Sequence, residues 1–201
     1  MTTWWNLKVK DNMSVFSGWI GDHTQPTKLY CRKYVEEKKY NNIIDCGCGI
    51  ATEYYGYKED LYDIEYTGLD SCKYLVDLNR KNGINMIEAE LEQDLPIKDN
   101  LYECVYCRGV IEHLSYYEKT INEFIRIGTK EVLIGWFIKP DEKDDEINYW
   151  EEEDLYHNKY NLSKLESCIL QNQKVDKIFW NDIDEKENVL HIILKGIDEV
   201  L

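Results

Sequence analysis

The chain has 201 residues, 24 of them basic and 39 acidic, giving a formal charge of −15 at neutral pH. Its length suits one domain with a full hydrophobic core, and 43% apolar with 31% charged residues excludes wholesale disorder. The acidic excess argues against nucleic acid or an anionic membrane as partner, because both need clustered Lys and Arg.

Residues 26–40 read as a helix, with Thr24 as candidate N-cap and Pro26 in the first turn. Residues 42–46 read as a buried strand running into the turn Gly47-Cys48-Gly49, with a helix over 52–61. A second strand covers 65–70; a helix over 71–82 stops at Gly83, before a third strand over 85–89. A fourth strand spans 102–108. The next helix, 116–127, places Ile121, Phe124, Ile125 and Ile127 on its apolar face and stops at Gly128. A fifth strand covers 131–138, and a helix over 163–171 takes Ser163 as N-cap and Glu166 as its capping-box partner. Residues 175–180 and 189–195 read as two closing strands. Alternating strands and helices predict an α/β, Rossmann-like fold: a seven-stranded, mostly parallel sheet with helices on both faces. The last two strands, joined only by a loop, predict an antiparallel C-terminal hairpin at one edge.

The whole chain, 1–201, reads as one domain. Residues 1–25 form a candidate N-terminal flap, with aromatics flanked by glycines in Phe16-Ser17-Gly18-Trp19; a strap packed on the sheet edge fits the same residues. Residues 139–160 form an insertion after the fifth strand, whose stretch 141–154 holds nine acids against Lys143 alone. Ligands of open α/β sheets bind beyond the carboxyl ends of the strands. The insertion therefore reads either as a solvated acidic loop or as a lid selecting a cationic or amine-bearing substrate. The longest strongly apolar stretch, 132–138, is far short of the roughly 18–20 residues that span a bilayer, and the first residues lack a signal-peptide pattern. A cytoplasmic setting is expected. The seven cysteines are odd in number and irregularly spaced, as suits free thiols. Cys104 and Cys107 have the spacing of half a zinc site. They lie in a strand, however, where positions three apart face opposite ways, so no metal site is expected.

The stretch Ile43-Ile44-Asp45-Cys46-Gly47-Cys48-Gly49-Ile50-Ala51 carries the chemistry. A strand ending in an acid runs into a tight glycine turn that opens a helix, so a ligand can lie against bare main chain. Dinucleotide folds use similar geometry, but with a third glycine, and position 52 here is Thr. Asp45 would repel a pyrophosphate and suits a positively charged ligand. Asp70 ends the second strand 25 residues later, where an acid can accept both hydroxyls of a ribose.

These residues resemble the class I S-adenosylmethionine-dependent methyltransferases. Asp45-Cys46-Gly47-Cys48-Gly49 is similar to the family's D-x-G-C-G turn, and Asp70 to its ribose acid. Leu95-Pro96-Ile97-Lys98-Asp99-Asn100 resembles its L-P-F-x-D-x segment, and Gly109-Val110-Ile111-Glu112-His113-Leu114 its G-V-L-E-H-L ending. The similarity covers roughly 41–137, with Ala51 standing where the family has glycine.

The resemblance implies S-adenosyl-L-methionine as cofactor and assigns residues to it. The backbone of Gly47, Cys48 and Gly49 would touch its adenosyl and methionine parts, and Asp45 would attract the ammonium. Asp70 would hold the ribose, with Ser71 nearby and Leu69 lining the pocket. Glu90, with Leu91, would flank adenine; Glu88 is the other candidate. Carbonyls near Arg108 and Gly109 would meet the ammonium, and the Arg108 side chain would reach the carboxylate or form a surface ion pair.

A methyl acceptor needs a positioned nucleophile and often a base. His113, after the fourth strand, is the first candidate and His157, in the insertion, the second; His191 reads as structural. The expected activity is methyl transfer to a small-molecule acceptor, with an oxygen of a sugar or other metabolite first. The alternatives are N-methylation of an amine or basic protein, and a catalytically inactive cofactor-binding scaffold of the same fold.

Overall fold

The computed structural model describes residues 24–60, 62–151 and 155–196. Most of the candidate flap at 1–25 lies outside them. Helix α1 (Pro26–Lys38) is followed by β1 (Asn42–Cys46), α2 (Thr52–Glu59), β2 (Glu65–Asp70), α3 (Lys73–Lys81) and β3 (Asn85–Glu88). Then come β4 (Tyr102–Arg108), a 3₁₀ turn (Ile111–His113), α4 (Glu118–Ile127) and β5 (Gly128–Trp136). The short strands β6 (Tyr149–Trp150) and β7 (Leu155–Tyr156) precede α5 (Leu162–Leu170), β8 (Val175–Asp182) and β9 (Asn188–Leu194).

Seven strands form one sheet in the order β3-β2-β1-β4-β5-β9-β8. Strands β1 to β5 pair in parallel, and β9 runs antiparallel to both neighbours. The expected C-terminal hairpin forms, with β9 inserted beside β5 and β8 outermost. The chain winds outward from β1 to β3, then returns to the other side of β1 as β4. That reversal opens a crevice beyond the carboxyl ends of β1 and β4.

Alternation along the strands divides the core. Ile44, Cys46, Val105, Cys107 and Ile134 pack with Phe124 of α4 and Leu165 of α5. Ile43, Cys104, Tyr106 and Leu133 pack on the other side with Val35 of α1 and Tyr57 of α2. Cys104 and Cys107 are thus fully buried in different halves of the core, as a strand with a period of two requires.

Several boundaries differ from the sequence reading, for local reasons. Helix α1 has Gln25, not Thr24, as N-cap. Asp70 takes the Cys72 amide, so α3 starts at Lys73 rather than 71. The α5 cap is Asn161, whose side chain accepts from the Lys164 amide; Ser163 lies inside the helix and Glu166 binds the Trp180 indole instead of closing a capping box. Gly128 ends α4 and also begins β5, because it pairs directly with Tyr102. Among the described residues no helix is long and apolar enough to cross a membrane.

Candidate cofactor and acceptor site

The turn after β1 spends its amides within the protein. Gly47 and Cys48 both donate to the Leu69 carbonyl, at 2.8 and 3.1 Å, and Gly49 donates to Asp70 Oδ2 at 2.8 Å. Asn79, buried on α3, donates to the Gly49 carbonyl at 2.8 Å. The β1 turn is therefore fastened to β2 and α3. A dinucleotide phosphate needs such amides pointing at the ligand; these three are already committed. A Cβ on Gly47 would stand 2.6 Å from Val110 Cγ2, so bare backbone at this position lets the turn approach the segment leaving β4.

Asp70 accepts from Gly49 through one oxygen and from Cys72, at 2.8 Å, through the other. Burial raises its pKa, these amides oppose the rise, and the nearby charge of Glu90 adds to it. Glu88 instead points outward, 3.7 Å from Lys73. Of the two candidate acids, Glu90 is the one whose charge bears on Asp70. Leu69 serves the turn through its carbonyl, and its side chain is fully buried in the core, as Leu91 largely is. Ser71 stays partly exposed beside Asp70. The methyl of Ala51, a residue with φ 55°, is fully buried in the α1-side core.

A buried charged cluster lies between α1, α2 and the end of β4. Asp45 is 5% exposed and accepts the Tyr66 hydroxyl at 2.6 Å; burial pushes its carboxyl up to about 7. Lys28 reaches Thr52 Oγ1 at 3.0 Å, and Arg32 reaches Glu53 at 3.2 Å. Arg108 stacks over the Phe137 ring at 4.5 Å and pairs with Glu187 at 3.4 Å, while Thr27 also donates to Glu187. The Arg108–Glu187 pair lies largely out of solvent, unlike the surface ion pair the sequence suggested. Of the seven buried side-chain atoms without a hydrogen-bond partner among the described residues, three belong to charged groups: Glu53 Oε1, Arg108 Nε and Glu112 Oε2. Glu53 and Glu112 both sense the charge of Arg108, so these groups share one neighbourhood. Unmet donors and acceptors together suit a ligand carrying both charges. Lys28, Glu53 and Glu187 were missed by sequence reasoning. Only Glu53, one residue into the helix after the turn, lies near the motif in sequence.

The two histidine candidates meet. The His113 and His157 rings lie 5.0 Å apart and nearly perpendicular, and Trp150 lies 4.1 Å beyond His157. His113 Nδ1 donates to the Tyr156 carbonyl at 2.7 Å. A carbonyl only accepts, so Nδ1 carries the proton and the neutral ring has its lone pair on Nε2. His191 is fully buried between Glu131, at 2.7 Å, and Tyr30, at 3.0 Å, in keeping with a structural role. Among the described residues of the acidic insertion, Asp141 pairs with Lys159, Asp145 with Lys164, and β6 with β7. Asp144, Glu146 and Glu151 remain exposed. Among the described residues no group of three acids, histidines or cysteines could hold a metal ion.

Residues 44–134 match the family model described as a methyltransferase domain. That match covers a little under half of the chain and makes those residues similar to a methyltransferase domain. An uncharacterized protein of Methanocaldococcus jannaschii is 34% identical to this chain over 96 residues, which is 47% of the chain and 39% of that protein. The chain thus spans about two-fifths of that relative's length. The magnesium protoporphyrin IX methyltransferase of Synechocystis, solved with bound S-adenosylhomocysteine, superposes with a TM-score of 0.68 at 11% identity, over 96% of this chain and 98% of that one. An S-adenosylmethionine-dependent methyltransferase of Thermotoga maritima gives a TM-score of 0.56 at 12% identity, over 77% and 82% of the two chains. At these identities the structural likeness establishes the fold.

Proposed function

We propose that the protein transfers the methyl group of S-adenosylmethionine to a small-molecule acceptor. The observation that carries this reading is the fastening of the glycine turn to β2 through Asp70, with Glu90 beside it. The cofactor, when bound, supplies an electrophilic methyl on a positively charged sulfur.

The chain's own residues then bind and orient. Asp70 accepts the ribose hydroxyls, and Glu90 with Leu91 flanks adenine. The backbone of Gly47, Cys48 and Gly49 lies along the cofactor. Asp45 and Glu53 draw the ammonium, together with the Gly109 carbonyl, while Lys28 and the unmet Arg108 Nε suit the carboxylate. His113 Nε2 would serve as the base that takes the acceptor's proton, and His157 borders that ring. The domain is taken as the whole chain, with 139–160 on the acceptor side. All seven thiols are free, which supports a cytoplasmic setting.

A hydroxyl of a sugar or other metabolite is the first acceptor class. An amine is the second, favoured by the exposed Asp144, Glu146 and Glu151 on the insertion. The primary test is thermal unfolding with S-adenosylhomocysteine, using NAD as control. Ligand at about 100 times its Kd adds about 2.7 kcal/mol, a Tm rise of roughly 5–11 °C for a chain of this size. A rise with NAD alone, or with neither ligand, refutes the assignment. Methyl transfer from labelled S-adenosylmethionine to sugars and amines then separates an enzyme from an inactive cofactor-binding scaffold.

A further inference from the structure

The 3₁₀ turn after β4 contains a carboxyl group to which the sequence assigned no role. Glu112 is 1% exposed. Its Oε1 accepts the Phe137 amide at 2.7 Å and lies 3.5 Å from that of Ile138, so it clasps the chain as it leaves β5. Its backbone carbonyl accepts the Asn158 amide at 2.9 Å, at the far end of the insertion. Asn158, fully buried, extends that joint by donating to the Leu114 carbonyl at 2.8 Å and accepting from the Asn148 amide at 3.0 Å.

One residue thus touches both the root and the return of the excursion that carries β6, β7, Trp150 and His157. Each half of the site depends on this clasp. Phe137, held through its amide, is the ring on which Arg108 stacks. Tyr156, two residues before Asn158, supplies the carbonyl that fixes the His113 tautomer. A buried carboxyl is costly, and an apolar residue of the same size would fill the space more cheaply. Only a side chain with an acceptor at its tip can hold the Phe137 amide, which would otherwise be left unpaired.

We propose that Glu112 is a positioning residue, locking the acceptor-side excursion and the His113 base in register with the cofactor end of the sheet. This rests on the methyltransferase reading above for what is being positioned, while the clasp itself can be tested in the free protein.

The test uses the full chain and three substitutions. Glu112→Gln keeps an acceptor oxygen at the same reach, Glu112→Asp withdraws it by one methylene, and Glu112→Ala removes it. Side-chain nitrogen NMR reports the His113 tautomer, hydrogen exchange reports the Phe137 and Asn158 amides, and titration calorimetry reports the Kd for S-adenosylhomocysteine. The Gln variant should match the natural protein in amide protection and in the His113 tautomer. The Asp and Ala variants should lose Phe137 and Asn158 protection at least tenfold, mix the two His113 tautomers, and bind S-adenosylhomocysteine at least fivefold more weakly. Folded Asp or Ala variants with unchanged protection and an unchanged tautomer overturn the proposal. A Gln variant as defective as the Asp variant overturns it too. If the Ala variant does not fold, the contrast between Gln and Asp decides. Failure of the natural protein to bind S-adenosylhomocysteine would count against the methyltransferase reading, while exchange and tautomer still judge the clasp.

Discussion

Asp70 Oδ2 holds the Gly49 amide at 2.8 Å, across the gap between the ends of β2 and β1. With its other oxygen on Cys72, this carboxylate organises the glycine turn and opens α3 before any ligand arrives. Asp70→Ala removes both acceptors and leaves two amides unpaired. Stability should fall by about 1–3 kcal/mol. The S-adenosylhomocysteine-dependent Tm rise should disappear, as read in the same thermal scan. Asp70→Asn, which keeps only one acceptor oxygen, should fall between.

Asp45 makes stability depend on pH in the opposite sense to a paired surface acid. Burial raises its pKa from 3.8 to about 7, so the native state holds this proton over a range where the unfolded chain has lost it. The native state then binds more protons between about pH 4 and 7, and stability falls as pH rises through that window, levelling above it. The contribution approaches about 1.4 kcal/mol per pH unit. Glu112, also raised to about 7 by burial, acts in the same direction. Asp45→Asn should flatten the slope of urea midpoints between pH 5 and 7 and raise the midpoint at pH 8. A steeper slope in that variant would contradict the assignment.

The same proton links to ligand binding. An ammonium near Asp45 favours the carboxylate, so S-adenosylhomocysteine binding should release protons below pH 7 and tighten as pH approaches that value. Titration calorimetry in two buffers of different ionisation heat measures the release. Proton uptake instead would show that the ammonium lies elsewhere.

Gly49 and Gly109 form a matched pair. Both have left-handed backbone, with φ 55° and 60°. A Cβ on Gly49 meets nothing within 4 Å, whereas one on Gly109 would stand 2.1 Å from the Phe137 ring. Gly49→Ala should cost the backbone strain alone, about 1–2 kcal/mol. Gly109→Ala should cost more and should also displace Phe137 from Arg108, weakening S-adenosylhomocysteine binding. Equal losses of Tm would remove the close approach of Phe137 from the explanation.

Lys174 tests stability away from the site. Its ammonium donates to the carbonyls of Ile125, at 2.7 Å, of Arg126, at 3.1 Å, and of Gly128, closing the C-terminal end of α4. Burial pulls its pKa down, and a cation at this end also meets the negative pole of the helix. Lys174→Met should lower stability by about 1–3 kcal/mol and leave the Kd for S-adenosylhomocysteine unchanged.

The sequence by itself determined what depends on residues close together in the chain. Strand alternation set β1, β2 and β4 to the residue and put Cys104 and Cys107 on opposite sides of the sheet. The Asp45–Gly49 turn and Asp70 were legible because each ends a strand, and a strand's end is marked by its neighbours. The motifs at 45–49, 70, 95–100 and 109–114 carried the resemblance to methyltransferases. Tertiary structure alone decided what depends on distant residues coming together. It left Glu88 on Lys73, while the charge of Glu90 bears on Asp70. It brought His113 against His157 through an insertion whose composition revealed only charge. It joined Thr27 and Arg108 to Glu187, from opposite ends of the chain, and closed Glu112 on Phe137. Those contacts bury polar groups that must find partners wherever the fold supplies them, and no local pattern specifies which partner that is.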